Sequence, residues 1–440
     1  MRRLTKSIKS YNKSKNLLAA PSTFSKGIDQ FAYGISPYIL TRGKGAYVWD
    51  IDNNKYIDTI MSLGAIILGH SNEQFNNHLI KQLKKGTTLS LTTELEIELA
   101  ELIVKRIPCA EMVRFGKNGN DATTLAVRLS RHVTKKNNIL FCGYHGWQDW
   151  YISKTSMNSG IPKEISNYSH RFTYNDIESL ENLLINFKGD VACIILEPIS
   201  KVEPICTVKC KHCKNHCDGF LKKVRWLADK HKVILIFDEV VTGFRWSIGG
   251  YQEVCGVTPD LACFSKAIAN GLPLSVLAGK KDIMKKSDEI FYSLTFGGET
   301  LSLAAAIFTI KFLEKHNVCE KIQENGSFLL SKINKLIDDL KIGSYVQTLG
   351  FPSKNFFIFK DSKNISAEIL RTYFVQELAK NSILSAGYHI MSYSHDKKIL
   401  NKLIAVYKKV FINMKDCLEN NSLQNKIKIP KPKLSAGATL

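Results

Sequence analysis

Between residues 112 and 279 the chain repeats one pattern: a short unbroken apolar run, then a longer amphipathic stretch. The runs are "MVRFG" (112–116), "NILFCG" (138–143), "VACIILEP" (191–198), "KVILIFDE" (232–239), "LACFS" (261–265) and "SVLAG" (275–279). Continuous Val, Ile, Leu and Phe, without polar alternation, marks strands buried on both faces. The stretches between them read as helices, such as "DATTLAVRLSRHVT" (121–134) and "GFLKKVRWLADKHK" (219–232), and "LSLAAAIFTIKFLEKH" after Thr300 reads as a long buried helix. Strands alternating with helices predict an α/β fold with a mostly parallel sheet covered on both faces. Further on the pattern changes. "SYVQTLGFPSKNFFIFKD" predicts a β-hairpin, followed by helices around 366–380 and 396–420 and a Pro- and Lys-rich tail. The opening "MRRLTKSIKSYNKSKNLLAA" is basic and lacks the apolar core of a secretory signal, so it reads as a surface or disordered leader.

Composition narrows the class. The 440 residues suffice for two domains, or one large domain with a smaller one attached. Apolar residues at 44% and charged residues at 23% are ordinary for a soluble globular chain, and no apolar run is long enough to span a bilayer, so no membrane partner is expected. The formal net charge of +21 comes from lysines spread along the whole chain, without a basic stripe or a nucleic-acid motif. It reads as a solvated surface that attracts anionic small molecules, with no nucleic-acid partner. Most of the eleven cysteines are scattered, Cys142, Cys193 and Cys263 within strand-like runs, which fits a reducing, cytoplasmic location.

Ligands of parallel α/β sheets bind at the carboxyl ends of the strands, and three such ends carry chemistry here. "VILIF" runs into "DEVVTGFR", "LACFS" into "KAIANGLP", and "MVRFG" into "KNGNDATT". A lysine at the end of an apolar strand is costly to bury charged, which favours the neutral amine that a Schiff base requires. A buried Asp facing a pyridine nitrogen holds that nitrogen protonated and makes the ring an electron sink. A helix N-terminus after Gly-Asn offers free amides to a phosphate. Together these groups describe a pyridoxal phosphate (PLP) site, whereas each alone reads more readily as a solvated lysine, a helix cap or a turn.

The run of motifs "GKGAYVWDIDNNKYID", "ILGH", "GKNGNDATTLAVRLSR", "GYHGW", "LEP", "LIFDEVVTGFR", "TPDLACFSKAIANGLP" and "TFGGETLSLAAA" resembles the class III aminotransferases of PLP fold type I, within them the glutamate-1-semialdehyde aminomutase-like branch, over residues 24–415. The resemblance implies a mostly parallel seven-stranded sheet in a large domain (66–318), and a small α+β domain built from 24–65 and 319–425, flanked by the leader (1–23) and the tail (426–440). It implies that Lys266 holds the cofactor and moves the substrate proton, and that Asp238 pairs with the pyridine nitrogen. Gly119 and Asn120 would hold the phosphate. Tyr144 and Val240 would lie on opposite ring faces, with Glu197 beside the ring. Thr295 would reach the cofactor of a second subunit, making the enzyme a homodimer with shared sites.

The substrate is a separate matter. The aminomutases hold a substrate carboxylate with an N-terminal Arg, where this chain has Asp29 in "FSKGIDQF". "GYHGWQDWY" is richer in Trp than their equivalent and resembles a branch found with sugar and surface-polysaccharide biosynthesis, so that Trp147, Trp150 and Tyr151 either line a substrate pocket or serve as packing aromatics. Glu299-Thr300 stands where many relatives have Asn-Pro. The favoured reading is an aminotransferase that passes an amino group from an amino acid donor to a small aldehyde, ketone or keto-sugar. The alternative is glutamate-1-semialdehyde 2,1-aminomutase. Finally, an insertion at 199–218 carries "CTVKCKHCKNHC", in which Cys206, Cys210, Cys213 and Cys217 form a candidate zinc site. The first three also match an iron–sulfur spacing, and a loop without a ligand remains the bland reading.

Overall fold

The computed structural model describes residues 3–205, 219–362 and 365–427. They fall into two compact units, one formed by Gln74–Cys319 and the other by Met1–Glu73 together with Glu320–Leu440.

The central unit is built on a seven-stranded sheet. In chain order its strands are β1 (Met112–Gly116), β2 (Asn138–Cys142), β3 (Ser169–Arg171), β4 (Val191–Leu196), β5 (Ile234–Glu239), β6 (Leu261–Phe264) and β7 (Ser275–Gly279). Their spatial order is β1-β7-β6-β5-β4-β2-β3. Only β7 runs against its neighbours; the other pairings from β6 through to β3 are parallel. The six apolar runs of the sequence are thus six of these strands, and β3, short and polar, is the one the apolar pattern does not mark. Every residue of β2, β4, β5, β6 and β7 is buried, which is why their sequences are continuously apolar. Helix α1 (Gly119–Thr134) lays Leu125, Ala126 and Leu129 on Ile139, Ile195, Ile236 and Leu277 of the sheet. A capping box between Asn118 and Asp121 starts it, placing its first free amides just beyond β1.

Helix α2 (Phe220–His231) precedes β5, and α3 (Thr300–Lys315) is buried over most of its length. The start of α3 explains the unusual Glu299-Thr300. The Glu299 carboxylate accepts from the amides of Leu301 and Ser302, at 2.7 and 3.1 Å, and pairs with Lys117 Nζ at 3.1 Å. Burial pushes this carboxyl up, but the Ser302, Lys117 and Leu301 hydrogen bonds outweigh it and leave it below its ordinary value. A helix cap and an ion pair therefore stand at this position.

The second unit contains a four-stranded sheet of Leu40–Lys44, Tyr47–Asp50, Lys55–Asp58 and Ile383–Leu384, and a three-stranded sheet of Val346–Phe351, Lys354–Phe359 and Tyr388–Ile390. The expected hairpin is the pairing of Val346–Phe351 with Lys354–Phe359. Phe357, Phe374, Tyr407 and Phe411 fill its core with ring contacts of 4.6–6.4 Å. The leader is ordered where it meets this unit: Thr5–Ser14 is helical, and the Asp52 carboxylate accepts from the amides of Lys6 and Ser7 at 2.9 and 2.7 Å. A carboxylate on the first-turn amides holds the helix that the leader's composition alone does not announce. Met61, Ser62 and Leu63 are consecutive residues in the left-handed region, with φ of 47°, 51° and 59°.

Candidate active site

The carboxyl ends of β5 and β6 lie side by side, because Asp238 is paired with Cys263 across the parallel ladder. Lys266 follows three residues later, at the start of a short helical turn, with a left-handed φ of 48°. Asp238 is only 3% exposed. Its Oδ1 accepts from the Val240 amide at 3.0 Å, and its Oδ2 lies 2.8 Å from His145 Nδ1. His145 is buried too, and its Nε2 donates to the Cys142 carbonyl at 3.1 Å. The two ring contacts fix the orientation of the imidazole and tie it to the Asp238 carboxyl. His145 was not singled out by sequence reasoning. The signal was present in "GYHGW", a polar residue three places beyond the end of a buried strand.

The other expected residues gather around this pair in part. A Cβ on Gly119 would meet Val240 Cγ1 at 2.8 Å, so the helix start and Val240, two residues after Asp238, touch through a position that only glycine fits. Gly146, at φ +111°, leaves the same kind of space for Asn120, whose Cβ would lie 2.6 Å from an added one. Thr123 Oγ1 donates to the His145 carbonyl at 3.0 Å and ties α1 to the histidine. Glu197 accepts from the Tyr144 amide at 3.4 Å. Burial, and then the negative charge of Asp238, push the Tyr144 phenol above its ordinary value. Tyr144 itself is 48% exposed, as a ring available to a ligand would be. Thr295 is not brought to this group; it lies in an exposed stretch with Phe291, Leu294 and Phe296.

Of the two readings open for the aromatics, Trp150 and Tyr151 follow packing. They are 6% and 1% exposed and belong to the core with Phe141 and Leu125. Trp147 alone of the three is exposed. Behind Asp238, Glu239 is fully buried and accepts from Thr242 Oγ1, the Tyr251 amide and the Gln252 amide and side chain. Burial pushes that carboxyl up while these donors pull against it. Cys206, Cys210, Cys213 and Cys217 lie outside the described residues. Among the described residues no group of three or more metal-ligating side chains comes together.

A buried carboxylate, an amine on the adjacent strand end and a glycine-lined helix start are the donor set that PLP requires. The comparison with known proteins agrees. The family model described as Aminotransferase class-III matches residues 31–364. The chain belongs to the class III aminotransferases. This family member is 34% identical to the 3-aminobutyryl-CoA aminotransferase of Cloacimonas acidaminovorans over 389 residues, covering 88% of this chain and 91% of that protein. It is 36% identical to the glutamate-1-semialdehyde 2,1-aminomutase of Wigglesworthia glossinidia brevipalpis over 406 residues, covering 86% and 92%. Among solved structures it superposes on the FumI protein of Sphingopyxis sp. MTA144 in its PLP internal aldimine form, with a TM-score of 0.85 at 22% identity over 97% and 99% of the two chains. The class III aminotransferase is thus a PLP-dependent enzyme with the α/β fold of the transaminases. No helix among its described residues is long and apolar enough to cross a membrane.

Proposed function

We propose that this enzyme transfers an amino group from an amino acid donor to a small aldehyde or ketone. The observation that carries the reading is the buried Asp238–His145 pair, at 2.8 Å, beside the strand that ends at Lys266. PLP, when bound, supplies the electron sink that stabilises negative charge on the substrate carbon. Lys266 would hold the cofactor and carry the proton on its Nζ between the substrate carbons. Asp238, held in place by His145, would face the pyridine nitrogen and pair with its hydrogen. Tyr144 would cover one ring face and Val240 the other, and Glu197 would stand beside the ring. The first amides of α1, at Gly119 and Asn120, would take the phosphate. The exposed apolar run Phe291, Leu294 and Phe296, flanking Thr295, supports a homodimer in which Thr295 meets the second subunit's site.

The keto-sugar reading has lost two of its three aromatic supports, since Trp150 and Tyr151 are core residues. The aminomutase reading is favoured by the similarity to glutamate-1-semialdehyde aminomutases and opposed by Asp29, an exposed acid where a carboxylate-holding Arg would stand. An absorption scan of the PLP-loaded enzyme before and after glutamate separates the two. Conversion to the pyridoxamine form by glutamate alone supports the aminotransferase. A spectrum unmoved by glutamate and other common donors, but changed by glutamate 1-semialdehyde, overturns it in favour of the aminomutase. Lys266→Ala is expected to lower the rate of conversion at least about a hundredfold.

A further inference from the structure

Asp238 and Glu239 are consecutive residues of β5, and successive side chains of a strand leave it on opposite faces. Asp238 meets His145, while Glu239, with no exposed surface, gathers both ends of the loop 240–250. From the near end Thr242 Oγ1 donates to its Oε2 at 2.9 Å. From beyond the far end the Tyr251 amide donates to Oε2 at 2.6 Å, and the Gln252 amide and Nε2 donate to Oε1, each at 3.2 Å. The Cys109 amide donates to Gln252 Oε1 at 3.0 Å, which sets that carboxamide with its NH2 toward Glu239. Four donors and no acceptor meet the two oxygens, a pattern that a carboxylate satisfies and a carboxamide does not.

The loop so closed is under constraint. Phe244 within it is buried and held at a left-handed φ of 63°, which a bulky residue keeps only where its surroundings demand it. At the far end Gly250 has φ +80°, and an added Cβ would lie 2.5 Å from Glu239 Oε1, so the backbone closes on the carboxyl without room for a side chain. At the near end stands Val240. Its amide donates to Asp238 Oδ1 at 3.0 Å, and its side chain occupies the space that a Cβ on Gly119 would need.

We propose that Glu239 is a positioning residue for the cofactor: by closing the loop 240–250 it fixes Val240 against the ring face. Asp238 and Glu239 thus divide the work at the end of one strand, the first meeting the pyridine nitrogen and the second holding the side chain that covers the ring. Without the carboxylate the donors of Thr242, Tyr251 and Gln252 lose their common acceptor, the strained Phe244 relaxes, and Val240 loses its fixed place. The inference rests on the placement of Val240 beside the cofactor, and the experiment tests that placement separately.

Titration of the full chain, stripped of cofactor, with PLP tests it, read by the affinity and by the visible circular-dichroism band of the bound cofactor. Val240→Ala serves as the reference. Glu239→Gln is expected to raise the Kd for PLP about tenfold and to displace the band in the same direction as Val240→Ala. Thr242→Val, which keeps the volume and removes one donor, is expected to do the same to a smaller extent. Far-ultraviolet circular dichroism checks that the variants are folded, and Thr242→Val decides alone if Glu239→Gln is not. Folded variants that keep the parent's PLP affinity and band overturn the proposal, even where their thermal stability is lowered. A Val240→Ala protein with the parent's affinity and band also overturns it, because the loop then has nothing to act through. Neither reading uses an amino donor, so the response to glutamate decides the amino-transfer reading independently.

Discussion

At the scale of single residues, the central feature is a buried carboxyl hydrogen-bonded to a buried histidine. Asp238 and His145 are both almost inaccessible and lie 2.8 Å apart. Removing the histidine leaves the buried carboxyl without its hydrogen-bond partner, which costs about 1–3 kcal/mol, on the order of a five- to a hundredfold in rate. His145→Phe is therefore expected to lower kcat by that factor and to change the pH profile of turnover, with KM for the donor little affected. A change confined to thermal stability, with the pH profile unmoved, would sink the positioning role. Asp238 and Lys266 were legible in the sequence because each ends a strand whose apolar run is unmistakable. His145 was not, because its importance lies in a contact with a residue 93 positions away. The same limit applies to Trp150 and Tyr151, whose spacing is as compatible with a pocket as with the core that they join.

At the scale of elements, continuous apolarity located six of the seven strands, five of them buried along their whole length and β1 partly so. β3 escaped the pattern: it is three residues long and reads Ser-His-Arg. Glu299 shows what a pattern of residue types conceals. Its cap on α3 uses local amides, yet its pairing with Lys117 spans 182 residues. Glu299→Ala removes both and is expected to cost about 1–2 kcal/mol. Denaturant unfolding should show a lower midpoint at unchanged m, and an unshifted midpoint would contradict the assigned role. The leader helix was invisible for a related reason, since the carboxylate on its first amides comes from Asp52, outside the leader.

At the scale of the whole molecule, stability should depend on acid through the second unit. His389 is 1% exposed; Nδ1 donates to Asn355 Oδ1 at 2.7 Å, and Nε2 accepts from the Tyr407 hydroxyl. Burial, with a smaller contribution from His395, lowers its pKa from 6.5 to about 3. Between those values the unfolded chain binds a proton that the folded chain refuses, so stability is full above pH 6.5 and is lost as pH falls toward 3. Buried His395 is shifted in the same direction. Chemical denaturation across this range should give a shallower pH slope for His389→Gln than for the parent, and parallel slopes would refute the assignment. The architecture of this unit was the least legible part of the sequence, because Ile383–Leu384 pairs with Lys55–Asp58 from the far end of the chain. That pairing has a consequence during synthesis. Thr59 Oγ1 donates to the Leu384 carbonyl across 325 residues. A ribosome adding roughly 5–20 residues per second needs about a quarter of a minute to a minute to cross that interval. Until then the strand Lys55–Asp58, with Tyr56 and Ile57 destined for burial, emerges from the ribosome without its partner. The nascent chain therefore passes through a period in which one edge of that strand stands open, while the segment between those strands, Gln74–Cys319, already has all of its own sequence in hand.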